Sequence, residues 1–393
     1  MKTLFLFQTF SFEQSTIYLD LIRAVRDAGH EVTVIAGTSD RDMPDGLQIR
    51  ESIHVLYLKL EDQFGAGRIR KGLIQVSIGR KMKELIRTYL WDEHFDITVY
   101  PTPPITLADA AEMCRRHYKC VNYLMLKDIF PQNAVDIHMM KKEGMLHKYF
   151  RYTERKLYRV SDRIGCMSEA NIRYIREHED ASVAAKLELF PNTAAIKDIE
   201  EDGSGFSSGN DTVSFMIGGN LGRPQAIDFL LKGIAAVREQ NVRFVFTGQG
   251  TEAERVRKYI AETGDPRTEF HEHMPRDKYE ELLKKCDIGI VSLRPDFTIP
   301  NFPSRSLSYM QIAKPIFAVT DRVSDIKDMI SSAGCGWWCP SDDIGAFTGT
   351  VTKIISERDR FVMFGRNGRQ YLMEHFDVRD SVKILERAAV KNE

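Results

Sequence analysis

The 393-residue sequence predicts an α/β protein of two doubly wound domains, and three observations lead there. Short apolar runs alternate with amphipathic stretches along nearly the whole chain. A polar, glycine-rich segment at 193–211 interrupts that alternation, which then restarts. Two loop-to-helix junctions suited to a phosphate stand in the second half.

The elements follow in order. Residues 3–7 read as a first buried strand, too short for a signal sequence. Residues 15–28 read as an amphipathic helix, with Ile17, Leu21 and Val25 on one face and Gly29 as its stop. Strands are expected at 31–36, 96–100, 120–126 and 162–167, with helices between, and 187–192 closes this domain. Continuous apolar strands separated by helices imply a parallel sheet covered on both faces. Domain one is therefore set at 1–192, the linker at 193–211 and domain two at 212–375. Domain two should hold strands at 214–217, 243–247, 268–271, 288–292 and 316–319. Helices near 343–357 and 360–375 end it, leaving 376–393 as a tail that crosses back to the first domain.

Composition narrows the class. Hydrophobic residues make up 43% and charged residues 28%, which suits a globular core. Net charge is −1, so no overall field favours nucleic acid. Six cysteines lack paired spacing and read as buried thiols of a cytoplasmic protein. Cys335 and Cys339 lack the second pair a metal site needs. No apolar run approaches the roughly 20 residues of a membrane span.

The two junctions carry the chemistry. In 303–310, Pro303 closes a loop, Ser304 is placed to cap a helix, and Arg305 stands at its positive end. In 213–228, an apolar strand enters the turn Gly218-Gly219-Asn220-Leu221-Gly222, and a helix is expected to begin around Pro224. The spacing is neither a dinucleotide fingerprint nor a P-loop, which disfavours a dehydrogenase. Together the junctions suggest a nucleoside diphosphate.

Further segments complete a pattern: Gly29-His30-Glu31-Val32, Lys127-Asp128-Ile129-Phe130-Pro131, Ser161-Asp162-Arg163-Ile164, Phe190-Pro191-Asn192, Gly248-Gln249-Gly250 and Gly334-Cys335-Gly336. With Pro303-Ser304-Arg305 they resemble, in order and spacing, the retaining glycosyltransferases of family 4, in their bacterial capsule and exopolysaccharide branch. The resemblance implies a GT-B fold: two Rossmann-like doubly wound domains facing a central cleft. It also implies transfer of a sugar from a nucleotide-sugar, UDP-linked, to a polyprenyl-diphosphate-linked acceptor. Several family positions differ. A loop Arg and a following Lys are replaced by Asn220 and Gln225, paired glutamates by Pro300 and Ser308, and an N-terminal Gly-Gly loop by Gln14-Ser15.

Roles are assigned on that basis. Arg305 is to neutralise the leaving diphosphate, and Asp128 to accept the acceptor's proton. Donor contacts are expected from Gly218, Gly219, Asn220, Arg223, Gly248, Gly250, Arg276, Pro303, Ser304, Leu307 and Ser308. Glu13 and Lys127 are placed on the acceptor side, although a solvated lysine is the plainer reading of Lys127. No metal or other cofactor is expected. Two basic stretches point to an anionic membrane face at the inner side of the plasma membrane. Between 67 and 91 seven Lys/Arg meet one acid, and between 138 and 159 seven meet two, with Tyr149, Phe150, Tyr152 and Tyr158 interleaved. The alternatives are core-packed helices, a non-catalytic partner subunit of the same fold, and a nucleotide-sugar epimerase.

Overall fold

The computed structural model describes residues 1–13, 16–38, 40, 42–60, 68–199 and 211–390, with side chains left out at 68–76 and at Arg276 and Asp277. The chain divides into two compact units: Met1–Ala195 with Val378–Glu393, and Ile196–Asp377. Residues 200–210 of the proposed linker lie outside the described residues, as do Gln14 and Ser15.

The first unit begins with β1 (Lys2–Thr9), α1 (Ile17–Asp27), β2 (Glu31–Thr38), β3 (Leu47–Arg50), β4 (Ile53–Lys59) and α2 (Arg68–Tyr89). It continues through β5 (Ile97–Pro101), α3 (Ala108–Tyr118), β6 (Val121–Leu126), α4 (Gln132–Asp136) and α5 (Met145–Val160). After β7 (Arg163–Cys166), α6 (Glu169–His178) and α7 (Ala181–Ala184), β8 (Leu187–Leu189) completes an eight-stranded sheet of order β3-β4-β2-β1-β5-β6-β7-β8. All neighbours are parallel except β3, which pairs antiparallel with β4. That hairpin was not foreseen. Leu47 and Ile49 on its edge strand face solvent, so β3 has no continuous apolar run to reveal it.

In the second unit β9 (Val213–Asn220), α8 (Ile227–Ala236), β10 (Val242–Gln249), α9 (Ala253–Thr263) and β11 (Thr268–His271) come first. Next are α10 (Arg276–Lys284), β12 (Ile288–Ser292), α11 (Arg305–Gln311), β13 (Ile316–Thr320), α12 (Ile326–Ala333) and β14 (Gly336–Pro340). Helices α13 (Ile344–Ser356) and α14 (Phe361–His375) end this unit. Its six strands run β11-β10-β9-β12-β13-β14, all parallel. Strand β14 was also missed, since Gly336 and Pro340 at its ends read as loop residues. The helix expected at Pro224 is instead a 3₁₀ turn over Arg223–Gln225; Ala226, at φ 48°, breaks it from α8.

The predicted tail is a further helix, α15 (Val378–Ala389). Val378, Val382 and Leu385 recur at helical spacing and are buried in the first unit's core with Ile22 and Val25 of α1. His30 Nε2 meets Glu386 at 2.7 Å, and the Val378 amide donates to Ala194 at 3.1 Å. The chain's last helix thus belongs to its first unit.

Helices α2 and α5 correct the membrane expectation in part. Ile78, Met82 and Ile86 of α2 are fully buried, so that apolar face packs into the protein. The side chains of Arg68, Arg70 and Lys71 lie outside the described residues. On α5 the inward face is fastened by charge: Arg151 pairs with both Glu154 and Glu179, and the Tyr158 hydroxyl donates to Glu154 at 2.8 Å. Burial raises the Glu154 carboxyl to about 7. The outward face keeps Met145, Leu146, Tyr149 and Tyr152 exposed. Among the described residues no helix is long and apolar enough to cross a membrane.

Truncating a fully buried α15 residue should lower the first unit's stability. Leu385→Ala is expected to cost about 2–4 kcal/mol in urea unfolding, whereas Val390→Ala, at an exposed position, should cost nothing measurable.

Candidate functional site

At the carboxyl edge of the second sheet the ends of β9 and β10 touch backbone to backbone. A Cβ on Gly248 (φ 131°) would lie 1.9 Å from the Gly219 carbonyl oxygen, and one on Gly250 (φ 152°) 2.4 Å from that of Leu221. Only glycine permits either approach. Gly219 itself has φ 99°, which turns the chain out of β9. The loop is then closed locally: the Gly222 amide donates to Gln225 Oε1 at 3.0 Å, and Ser292 Oγ donates to the Gln225 carbonyl at 2.7 Å. Gln225 is thus a brace for the loop.

Arg305 lies beside this turn because Tyr309 fixes its helix. Gly289 of β12 has no side chain, and a Cβ there would sit 2.3 Å from the Tyr309 ring. The ring therefore lies flat on the sheet, and its hydroxyl meets the Met216 and Ile290 carbonyls at 3.2 Å each. Four residues earlier on the same helical face stands Arg305. Its Nη2 donates to the Asn220 carbonyl at 3.1 Å and lies 3.5 Å from the position a Gly219 Cβ would take. Its Nη1 is buried and has no hydrogen-bond partner among the described residues. An unpaired guanidinium nitrogen beside an exposed glycine turn suits an incoming anion.

The other donor-side residues divide. Gly218 is overlain by Tyr279 of α10, whose hydroxyl would be 2.5 Å from a Cβ there. Gly219 and the Asn220 side chain are exposed, as is Arg223. Leu307 is buried under α11, Ser308 is half-buried, and Pro303 anchors the turn by accepting from Ser306 Oγ at 2.9 Å. Ser304 does not cap the helix: at φ −65° and ψ −15° it is already helical, and its hydroxyl makes no cap bond. The Arg276 side chain lies outside the described residues. Tyr279 and Tyr309 were not foreseen as site residues. Only the glycines opposite them, Gly218 and Gly289, hinted at a large neighbour.

A second constellation occupies the carboxyl edge of the first sheet. Thr102 Oγ1, just past β5, accepts the amides of Lys127 at 3.1 Å and Asp128 at 3.3 Å. The Lys127 ammonium is not solvated; it donates to the Phe190 and Pro191 carbonyls at 3.3 and 3.1 Å, over the Phe190 ring. Burial lowers its pKa to about 7. Lys127 therefore ties β6 to the chain leaving β8. Asp128 accepts from Asn133 Nδ2 of α4, and burial raises its carboxyl to about 7. Tyr18 of α1 faces it closely enough for the carboxylate to raise the phenol further, after burial. Glu13 is exposed and committed elsewhere: Ser11 Oγ donates to it at 2.5 Å and Arg50 pairs at 2.7 Å, which together lower its pKa to about 2.

Two units with parallel sheets, each with its site at the strand carboxyl ends, define a GT-B architecture. Sucrose-phosphate synthase from Thermosynechococcus elongatus superposes with a TM-score of 0.76 at 14% identity, covering 98% of both chains. HepE of Anabaena, solved in complex with UDP, gives 0.66 at 14% identity over 98% of this chain and 99% of its own. Residues 212–357 match the family model described as glycosyl transferases group 1. A probable glycosyltransferase of Pseudomonas aeruginosa, WbjE, is 26% identical over 270 residues, 66% of each protein.

The raised Asp128 pKa has a consequence for stability. A carboxyl that ionises near 7 in the folded chain, against an ordinary value of 3.8, destabilises the fold progressively as pH rises from about 4 to 7. Asp128→Asn should raise the melting temperature, by a margin that grows between pH 4 and 7 and stays constant above.

Proposed function

We propose that this chain is a glycosyltransferase of surface-polysaccharide assembly, moving a sugar from a UDP-linked donor onto a lipid-linked saccharide with retention. The glycosyl transferases group 1 match and the WbjE similarity support the transferase class. The UDP held by HepE, a protein of the same fold, supports the donor class.

The observation that carries the reading is Arg305. One nitrogen of the guanidinium is fixed on the Asn220 carbonyl while Nη1 remains buried and unpaired. As the glycosidic bond breaks through an oxocarbenium-like state, charge gathers on the departing diphosphate. A preoriented guanidinium stabilises that charge without reorganising. Arg223, exposed on the same loop, adds a second cation, and Ser308 is the group we assign to a ribose hydroxyl. The reading invokes no metal.

In the acceptor half, Asp128 takes the proton of the attacking hydroxyl. A carboxyl that titrates near 7 ionises at neutral pH and is still basic enough to accept. The lipid-linked acceptor is matched by the outward face of α5 together with the segment that precedes it. Exposed Met139, Met145, Leu146, Tyr149 and Tyr152 stand among exposed Lys141, Lys142, Lys148 and Arg155. Apolar and aromatic groups surrounded by cations suit an anionic bilayer surface. Phe130, two residues past Asp128, packs edge-on against Phe150 of the same helix at 5.0 Å. The bilayer-facing helix and the acceptor carboxylate are thereby one packed piece.

Calorimetry with UDP tests the donor site: the wild type should bind, and Arg305→Ala should weaken binding about tenfold or more. Equal affinity would remove Arg305 from the site. Nucleotide binding without turnover over a panel of UDP-sugars and polyprenyl-diphosphate acceptors would favour a non-catalytic subunit instead. For the surface, phosphatidylglycerol vesicles should co-sediment the protein and phosphatidylcholine vesicles should not. A Met145→Ser/Leu146→Ser variant should lose most of that binding.

A further inference from the structure

Two acceptor oxygens at the edge of the first sheet are buried and have no hydrogen-bond partner among the described residues: Asp128 Oδ1 and Asn133 Oδ1. They belong to one linked pair, since Asn133 Nδ2 donates to Asp128 Oδ2. Only the nitrogen end of the Asn133 amide can donate to a carboxylate, so its oxygen is necessarily left over. Of the neighbouring backbone amides, that of Ile129 lies close enough to the Asp128 carboxyl to lower its pKa against burial, and two others are engaged elsewhere. The Asp128 amide goes to Thr102 Oγ1 at 3.3 Å, and the Asn133 amide to the Ile129 carbonyl at 2.9 Å. Native proteins rarely leave buried acceptors unpaired, and two such oxygens on one side-chain pair call for a ligand that supplies donors.

The surroundings select the kind of donor. The Asp128 carboxyl faces Tyr18 from α1, Asn133 from α4 and the backbone amide of Ile129. The two open oxygens, one on a carboxyl and one on a neutral amide, both accept, and a pair of neutral O–H donors satisfies both. Adjacent hydroxyls of a sugar ring offer two of them at a fixed separation.

We propose that Asp128 and Asn133 together bind two neighbouring hydroxyls of a saccharide, Asn133 also acting as the positioning residue for the Asp128 carboxylate. This rests on the acceptor-side reading of Asp128 and extends it to a contact that no resemblance supplies. A donor to the charged form favours ionisation, as the Ile129 amide does against burial at Asp128, and Asn133 Nδ2 is a second such donor. The hydroxyl on Asp128 Oδ1 is then the nucleophile. As its oxygen bonds to the donor's anomeric carbon, its proton passes to Asp128 and the nucleoside diphosphate leaves with the electron pair of the broken C–O bond. The second hydroxyl, on Asn133 Oδ1, fixes the rotation of the ring.

The test uses the full chain with ¹³C-labelled aspartate carboxyls, the Asp128 resonance being assigned by its loss in Asp128→Asn. Methyl glycosides of glucose, galactose, mannose, rhamnose and N-acetylglucosamine serve as probes, without nucleotide. At least one should shift the Asp128 resonance saturably. Asn133→Leu, similar in shape, should weaken that Kd about tenfold and move the Asp128 titration midpoint upward. Asn133→Ser, which restores a donor and an acceptor, should recover part of both, and it carries the test if the Leu variant does not fold. No response to any glycoside, or equal affinity in the variants, would overturn the inference. UDP binding in the same sample separates the two failures: intact UDP binding with no glycoside response sinks this inference and leaves the donor site standing.

Discussion

The carboxyl edge of the second sheet depends on one close approach, the Gly248 backbone against the Gly219 carbonyl. A single methyl at Gly248 would meet that oxygen at 1.9 Å, far inside any tolerable contact. Because the approach is allowed, the β9 and β10 ends stay paired through Gly248↔Gly219 and Gln249↔Asn220. The turn beyond them then presents backbone rather than side chains. The same device recurs beneath Arg305, where Gly289 makes room for Tyr309 and so sets the helix that carries the guanidinium. Missing side chains therefore place the Arg305 guanidinium beside the glycine turn.

The carboxyl edge of the first sheet is built by the opposite means. There Lys127 and Asp128 are drawn into the fold, and each is held by a partner from a different element. Burying Lys127 and Asp128 shifts both toward neutrality, one downward and one upward. That burial works against the stability of the fold while giving a carboxyl that changes charge near neutral pH. Anchored by Phe130 on Phe150, the site also shares its foundation with α5, whose outer face is apolar and cationic.

Much of this was legible in the sequence because parallel strands buried on both faces leave continuous apolar runs. Residues 268–271 and 288–292 were read to the residue as β11 and β12. The glycine turn, Arg305 and Asp128 were legible because each interrupts or ends such a run. What escaped has physical causes. The β3–β4 hairpin lies at an edge, and the segment read as a tail is a helix whose core residues, Val378, Val382 and Leu385 among them, alternate with charged ones. Helix α2 carries its basic residues beside an apolar face, and sequence does not say whether protein or lipid covers that face. Asn133, Tyr279 and Tyr309 gain their roles from neighbours far away in the chain or across a turn, which no local pattern records.

The central claim is that the glycine turn and the Arg305 helix form one nucleotide site. Hydrogen exchange read by mass spectrometry, with and without UDP, tests it most directly. The account predicts slowed exchange in peptides covering 218–222, 246–250 and 303–309, and little change over the rest of the second unit. Unchanged exchange in those three segments at saturating UDP, or protection confined to other segments, would contradict it.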